Sequence, residues 1–579
     1  MLIRLIRSAP IWFMLATHSV AGDWTTYGHD PARSGWASDE STLTTRNVAS
    51  LRLQWKTRVN NQSFSLSALT PPVAATGIPT GNGPRTVVYV AGIGGTVFAI
   101  DAQTGDALWS RPLTSLAVPR RGGLQGTYLC PNGITATPVI DKGSNTLYVI
   151  APDGSLYGLD LSNGKDKYGP VPFVAPFAKT WSLNLVDGIV YTTVSLGCGN
   201  GRSGVYAADV RHPQQPAVRV LFLSHAFTAG IWGRGGAIIG GGKIYGGTAD
   251  GDTDPAAGDY SNTVVGASLK DMAVTDYFLP RNEEYINKND LDLGSASPVW
   301  FTWKDRHLLA HGSKEGVVYL LDADRLGSAD HSTPIFATPR LGNDAEECCA
   351  EPGIWGGLST SRDDEGQTWL YVPVGGPPST NAPHFPNTNG PATHGSIMAF
   401  KVVSDSRSRN PVLEPAWMSG DFQYPDPPVL ANGVLFALAN GENPDQRRDE
   451  SRRTFDTHPA VLKALDAKTG RELFNSGAAM ESWVHFSALA VADGRVFAVD
   501  HGSNVYCFGV ADANPVLRTE TTKFQRSDDQ LSGSWIGRAD RQDEILKIWI
   551  ERAGFTAGLA FLAAAAGIWV AFKYQRRGA

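Results

Sequence analysis

The sequence has little net charge and few cysteines for its length. Its 579 residues carry 50 Lys and Arg against 56 Asp and Glu, a formal net charge of −6, which argues against a nucleic-acid-binding surface. The five cysteines form no CxxCH or CxxC motif, which excludes a covalent c-type haem and weakens a zinc site. No GxSxG elbow, Walker loop or Rossmann fingerprint occurs, so the common hydrolase and nucleotide-binding signatures are absent.

One sequence pattern recurs along the chain, which is rich in glycine (63) and tryptophan (16). It consists of an alternating apolar strand, a Gly or Asp-Gly turn, a second strand ending in Asp, a Thr-Gly-like turn and an aromatic strand. The clearest copy is VVYVAGIGGTVFAIDAQTGDALW at 87–109, and further copies begin at Leu147, Gly204, Val317 and Val461. Period-two alternation bounded by turn residues predicts short antiparallel strands in hairpins.

The number and spacing of these units predict the fold. Eight units open near Leu69, Ile134, Trp181, Gly233, Gly294, Gly353, Pro425 and Phe486. Spacings of this size with repeated aromatic and Gly positions are typical of propeller blades. We therefore predict an all-β, eight-bladed β-propeller of four-stranded antiparallel blades. The segment LRLQWKTRV (51–59) is predicted to complete the last blade and close the ring, which removes an exposed sheet edge.

Both ends of the chain have the composition of export and anchoring segments. Residues 1–22 place Arg4 and Arg7 before a short apolar run that ends in small residues, which predicts a signal peptide, with an uncleaved anchor as the alternative. The segment 553–572 has no charged residue and is long enough to cross a bilayer as a helix. Basic residues follow it, which predicts a cytoplasmic tail.

These segments predict the domain organisation. The predicted boundaries are 1–22 for the signal peptide, 23–510 for the propeller, 511–552 for a polar linker with an amphipathic segment, 553–572 for the transmembrane helix and 573–579 for the tail. The predicted location is the bacterial inner membrane, with a single C-terminal pass and the propeller in the periplasm. There the cysteines meet an oxidising compartment in which disulfides persist. A pairing of Cys130 with Cys198 requires their two segments to meet, which the sequence leaves open.

The segments DWTTYGHDPARSGW (23–36), VFAIDAQTGDALW (97–109) and KEGVVYLLDAD (314–324) resemble the quinoprotein alcohol dehydrogenase-like propellers, which carry pyrroloquinoline quinone (PQQ) repeats. The resemblance implies an oxidoreductase that uses PQQ and calcium to oxidise an alcohol, sugar or polyol. Because the chain has no haem motif, electrons would leave to a separate acceptor, a cytochrome or a quinone. The same blades also build noncatalytic propellers, so the alternative function is a scaffold for protein–protein interaction in the cell envelope.

The resemblance also implies residues that hold the cofactor. Trp232 in GIWGRGG matches the tryptophan beneath the quinone, and the related GIWGG places Trp355 as a second candidate. Lys314 in SKEGVVYLLD matches the cation that polarises the quinone oxygen. The adjacent Cys348 and Cys349 resemble the vicinal disulfide that covers the quinone in some members. The alternatives are a tryptophan that packs blades and a solvated turn lysine.

Acidic residues are the candidates for proton transfer and for calcium. Asp290 and Asp292 in NKNDLDLGSASP match the catalytic Asp-x-Asp segment and, if they lie in a strand, project to one face. Paired carboxylates suit a base, here Asp292 or Asp290, and a metal ligand, here Asp292. Asp250 takes the place of a calcium-binding Asn, whereas SLGCGNGRSGVYAAD (195–209) lacks the Glu of the family. The alternative is that Asp290 and Asp292 are plain turn residues.

Overall fold

The computed structural model describes residues 22–113, 124–212, 216–346, 348, 352–443, 454–485 and 487–510. The predicted linker, membrane span and tail lie outside these residues, as does the predicted signal peptide up to residue 21. Within the described ranges no helix is both long and apolar enough to cross a membrane.

Eight antiparallel sheets follow one another along the chain, and each is one blade. The strands of blade 1 are Val73–Thr80, Gly83–Ala91, Thr96–Asp101 and Ala107–Pro112; of blade 2, Val139–Asp141, Thr146–Ile150, Ser155–Asp160 and Asp166–Pro172; of blade 3, Lys179–Thr180 with Asn184–Val186, then Ile189–Ser195, Gly204–Asp209 and Ala217–Phe222; and of blade 4, Ile238–Gly240, Lys243–Gly247, Val264–Ser268 and Ala273–Phe278.

The second half of the ring is built in the same way. The strands of blade 5 are Val299–Trp303, Arg306–Gly312, Val318–Asp322 and Phe336–Ala337; of blade 6, Ser359–Arg362, Thr368–Gly375, Gly395–Ser404 and Pro411–Met418, with Asn387–Thr388 added; of blade 7, Val429–Ala431, Val434–Ala439, Val461–Asp466 and Glu472–Asn475, with Trp36–Ala37 added; and of blade 8, Ala490–Ala492, Arg495–Val499, Asn504–Val510 and Leu51–Arg58. The prediction of eight mostly four-stranded blades is confirmed.

The ring closes through the strand nearest the N-terminus of the propeller. Leu51–Arg58 pairs antiparallel with Asn504–Val510, so that Leu51 lies opposite Val510 and Arg58 opposite Asn504. The first strand of each blade contacts the first strand of the next, and that of blade 8 contacts that of blade 1. The prediction that 51–59 completes the last blade is therefore confirmed, and this edge of the sheet is covered.

The Asp-x-x-Thr-Gly-x-x-x-Trp pattern of the repeat joins neighbouring blades. A tryptophan in the outer strand of one blade lies against the turn glycine of the next, in the pairs Trp55–Gly105, Trp109–Gly164 and Trp417–Gly470. A Cβ on these glycines would lie 2.3–2.7 Å from the indole, so no larger residue fits. Each indole Nε1 also donates to the carbonyl after the third strand of that next blade, at 2.9–3.0 Å.

The remaining described elements lie in connections. A hairpin of Thr253–Asp254 and Asp259–Tyr260 extends from blade 4, and Ala296–Ser297 pairs in parallel with Gly356–Gly357. The helix Glu283–Asn289 precedes blade 5, and short 3-10 turns are Val48–Ser50, Cys198–Asn200, Leu293–Ser295, Ser328–Asp330 and Gly477–Ala479. Because strand direction alternates, loops between second and third strands share one face with the connections between blades. We call this the loop face.

Candidate functional site

Three carboxylates and one ammonium meet on the loop face between blades 4 and 5. Asp250 lies between the second and third strands of blade 4, and Asp290 and Asp292 lie in the connection to blade 5. One oxygen of each carboxylate lies within 4.8 Å of the others, and we call these three residues the acidic cluster. The ammonium of Lys314, from blade 5, donates to Asp290 Oδ1 at 2.7 Å and to Asp292 Oδ2 at 3.3 Å.

The expectation that Asp290 and Asp292 share one face of a strand is wrong. Asp290 ends the helix Glu283–Asn289 with a φ of 54°, and Asp292 precedes the turn Leu293–Ser295. Leu291 between them is fully buried and packs into the core. The two carboxylates therefore meet because both contact Lys314, and not because of strand alternation.

Burial sets the protonation of this group. Desolvation raises the pKa of Asp292 to about 8 and that of Asp250 to about 6. Burial alone lowers the pKa of Lys314, but the charges of Asp292 and Asp290 outweigh it and raise that pKa. Lys314 is 5% exposed, so it is not a solvated turn lysine. Its charge is held against the carboxylates, which makes it part of a buried ionic group.

The donor set of the acidic cluster fits a divalent cation. A bound cation would favour the ionised form of all three carboxylates, which together with one ammonium carry two net negative charges, and hard oxygen ligands are those that calcium prefers. Asp292 Oδ1 is buried and has no hydrogen-bond partner among the described residues, so one oxygen is available for a ligand. Asp250 Oδ1 accepts from Asn262 Nδ2 at 3.0 Å, which fixes the orientation of the third carboxylate.

Three tryptophans form a row beside the acidic cluster. The ring centres of Trp181 and Trp232 are 6.4 Å apart, and those of Trp232 and Trp355 are 5.9 Å apart at an interplanar angle of 63°. Lys314 Nζ lies 5.5 Å from the Trp232 ring centre and 5.3 Å from that of Trp355. Trp232 is half-buried, so its indole fits an aromatic ligand. Because Trp232 and Trp355 touch edge to face, a flat ring stacks on one of them and not between the two.

Three of the described cysteines, Cys130, Cys198 and Cys348, lie in loops or connections of the loop face. Cys130 and Cys198 form a disulfide with a Cα–Cα distance of 5.5 Å, which settles the pairing that the sequence left open. This bridge holds Cys198 next to Gly199 and Asn200, which offer no carboxylate in place of the missing Glu. Cys348 is disulfide-bonded, whereas Cys349 lies outside the described residues. Cys507 is a free, buried thiol.

Sequence reasoning did not single out two cations near the row of tryptophans. The Lys179 ammonium lies 5.3 Å from the Trp181 ring centre, and the Arg234 guanidinium carbon lies 5.6 Å from the same centre. The signal was present, because Arg234 is the charged residue of the apolar, Gly-rich segment GIWGRGG. His485, whose Nδ1 lies 2.6 Å from Glu442 Oε2, also lies near Arg234.

The fold and site were compared with known proteins. Residues 30–212 match the PQQ_2 family model, described as outer membrane protein assembly factor BamB. No curated protein sequence matches the chain.

Solved structures share the fold over most of the chain. Quinohemoprotein alcohol dehydrogenase from Comamonas testosteroni is 14% identical with a TM-score of 0.53, covering 88% of this chain and 82% of that one. A europium-containing methanol dehydrogenase is 13% identical with a TM-score of 0.53, covering 84% and 98%. Quinohemoprotein alcohol dehydrogenase ADHIIG from Pseudomonas putida HK5 is 12% identical with a TM-score of 0.53, covering 91% and 85%. The predicted resemblance is therefore confirmed at the level of the fold: the chain shares the β-propeller fold of these dehydrogenases, and residues 30–212 match a PQQ-repeat family model.

Proposed function

We propose that this protein is a PQQ-dependent dehydrogenase that oxidises an alcohol, a sugar or a polyol. The observation that carries the proposal is the position of Lys314, buried between Asp290 and Asp292 and beside the half-buried indole of Trp232. A cation, two carboxylates and an aromatic face within one site suit removal of a proton and a hydride from a hydroxyl compound. The fold shared with quinohemoprotein alcohol dehydrogenases supports it.

The side chains have distinct roles in this proposal. Asp292, whose pKa is raised to about 8 by burial, exchanges a proton near neutral pH and takes the proton of the substrate hydroxyl. Lys314 stabilises negative charge on an acceptor oxygen placed near it. When bound, PQQ would supply the two-electron acceptor for the hydride. The acidic cluster would hold a divalent cation such as calcium, which supplies a fixed positive charge.

Export and anchoring complete the proposal. Residues 1–22 direct export, and 553–572 anchor the chain in the bacterial inner membrane with the propeller in the periplasm. Electrons then pass to a separate cytochrome or quinone. Protease added to intact spheroplasts should degrade the propeller while a tag placed after residue 579 stays protected. Protection of the propeller under the same conditions would contradict this topology.

Binding of PQQ and calcium by the purified full-length protein tests the proposal. A ligand that binds the folded state alone raises its stability, by about 2.7 kcal/mol at a hundredfold excess over Kd. We expect a calcium-dependent rise in Tm with PQQ, and dye-coupled turnover of an alcohol or sugar. Lys314→Met should abolish turnover, because the cation at the acceptor is lost. Lys468→Met is the matched control, because Lys468 is a surface lysine.

A noncatalytic scaffold is the second candidate, and one observation favours it. The family model described as an assembly factor covers 30–212, which reaches through the third strand of blade 3, whereas the acidic cluster and Lys314 lie beyond it. The scaffold proposal predicts no change in Tm at saturating PQQ with calcium. It also predicts that Lys314→Met leaves cellular function intact whenever the variant is folded.

A further inference from the structure

A narrow cavity lies on the loop face, and no residue of the acidic cluster lines it. Its walls come from four of the connections between blades, with Leu69, Ile134, Arg234 and His485, and from Lys179 in the first strand of blade 3. Connections from so many blades approach one another only at the axis of the ring. The cavity is therefore axial, and we call it, with Lys179 and Arg234, the cationic pocket.

The two cations of this pocket lie close to the same indole. Lys179 Nζ and Arg234 Cζ are 5.3 and 5.6 Å from the Trp181 ring centre, so each gains a cation–π interaction. Arg234 Nη2 also donates to the carbonyl of His485 at 3.0 Å. No ion pair joins either cation to a carboxylate of the described residues. Two like charges thus share one site, which is unfavourable unless an anion joins them.

The acidic groups nearest to the pocket form no ion pair with its two cations among the described residues, although the charges of Asp426 and Glu442 act on Arg234 and raise its pKa against burial. Asp500 lines the cavity, but it accepts from Tyr506 Oη at 2.6 Å and from Asn504 Nδ2 at 3.0 Å. Glu442 contacts His485. Asp426 accepts from Asn440 Nδ2 at 3.1 Å.

The protonation of the pocket agrees with an excess of positive charge. Burial, and then the charge of Arg234, lower the pKa of Lys179 to about 7. Burial also lowers the pKa of Arg234. Asp426, which is buried at 1% exposure, has its pKa raised to about 7 by desolvation, so that about half of it is ionised at pH 7. A bound anion would restore the charged form of Lys179.

We propose that Lys179 and Arg234 bind a carboxylate group in the cationic pocket. An arginine fork and an ammonium on one indole match the two oxygens of a planar carboxylate, and the narrow space favours a small group. The carboxylate belongs either to a small organic acid or to the edge of the quinone. The inference rests on the proposed function only for the second source, because binding of a small acid requires no quinone.

Calorimetric titration of the full-length protein without quinone tests this subsite. The probes are acetate, L-lactate and succinate, and methyl L-lactate is the neutral control ligand. We expect a carboxylate to bind, the ester not to bind, and binding to weaken as salt is added. Lys179→Met should weaken binding at least about tenfold, because the bound carboxylate then loses one of its two cationic partners. Lys179→Arg should retain binding, and Lys270→Met, an exposed lysine, should change nothing.

Several results would overturn the proposal. They are equal binding of lactate and its ester, unchanged binding by Lys179→Met, or no binding of any of the three acids. Because Arg234 is packed against Trp181, Arg234→Gln is used only if its Tm matches that of the wild type. Lys179→Met and Lys179→Arg test the carboxylate subsite without the Arg234→Gln variant.

A competition experiment then identifies the source of the carboxylate. If lactate binds equally well at saturating PQQ, the pocket takes a separate organic acid. If PQQ displaces lactate and Lys179→Met weakens PQQ binding, the carboxylate is that of the quinone. A protein that binds lactate but never PQQ contradicts the proposed dehydrogenase while supporting the subsite.

Discussion

The acidic cluster and the cationic pocket both hold buried charge, of opposite sign, and they differ in how that charge is compensated. In the cluster, Lys314 pairs with Asp290 and Asp292 and neutralises part of the charge. In the pocket, the described contacts of Lys179 and Arg234 are with the face of Trp181 and a backbone carbonyl, and the charges of Asp426 and Glu442 act on Arg234 without an ion pair. A buried charge is costly unless paired, so each region is prepared for a ligand of the opposite sign.

The largest expected effect comes from removing the internal counter-charge of the acidic cluster. Without divalent cations, Lys314→Met should lower the free energy of unfolding by about 3–5 kcal/mol, because buried carboxylates lose their partner. Denaturant unfolding in chelator measures this change. Calcium should restore part of the loss, and Lys314→Met combined with Asp292→Asn should be more stable than Lys314→Met alone. Equal stability of wild type and Lys314→Met in chelator would show that the lysine is not the counter-charge.

The second effect concerns the disulfide that joins the connection before blade 2 to a loop of blade 3. Replacing Cys130 and Cys198 by alanine should lower stability by about 2–4 kcal/mol, because the unfolded chain is no longer constrained. The bridge spans 68 residues. Thermal unfolding of the double variant measures the loss, and its calcium response should stay that of the wild type. A lost calcium response would mean that the disulfide and the acidic cluster are not independent.

The third effect is a dependence on pH near the cationic pocket. The pKa of Asp426 is raised from 3.8 to about 7 by burial, so the folded state binds this proton more tightly than the unfolded chain. Its contribution to stability is complete below about pH 4 and is lost as the pH rises through about 7. At pH 8, Asp426→Asn should therefore stabilise the protein by about 1–3 kcal/mol.

The measurement for Asp426 is the Tm of wild type and variant between pH 4 and 9. Asn keeps the oxygen that accepts from Asn440, so the geometry is retained. The difference between the two proteins should be small at pH 4 and grow with pH. A constant difference across the range would contradict the raised pKa.

The smallest effect is that of the indole shared by the two cations. Trp181→Phe keeps an aromatic face but loses the hydrogen bond from Nε1 to Ser195 Oγ at 2.7 Å, and should cost about 0.5–1.5 kcal/mol. Lactate binding should change less than in Lys179→Met, since the cations remain. A larger loss of lactate binding in Trp181→Phe than in Lys179→Met would show that the indole, and not the cations, contributes most to binding.

Much of the fold could be predicted because its information is local. Alternation with period two and the Asp and Gly turns predicted the hairpins, and the unpaired strand at 51–58 predicted the closure of the ring. The glycine at 105 is required by the indole of Trp55 from the preceding blade, which explains why the repeat can be recognised. The alternation and the turn signals arise from backbone geometry within a few residues and do not need the ring, whereas the contact of Trp55 with Gly105 joins two blades.

The site was predictable as a set of residues but not as an arrangement. Asp250, Asp292, Lys314 and Trp232 were singled out, yet the sequence left open whether Asp292 lies in a strand or a turn and whether Lys314 is solvated. The structure places Asp292 after a helix and buries Lys314. Sequence alternation fixes which face a strand residue occupies, but it carries no information about loops that meet at the axis.

The sequence by itself determined an eight-bladed propeller, the strand that closes it and the residues of the acidic cluster. Only the tertiary structure decided that Lys314 lies between two carboxylates and that Lys179 and Arg234 meet on Trp181. The physical reason is that Lys179 lies in the first strand of blade 3 and Arg234 in the connection to blade 4, and these two segments meet only when the blades have packed. Desolvation, which shifts the pKa values of these groups, likewise exists only once all blades have packed.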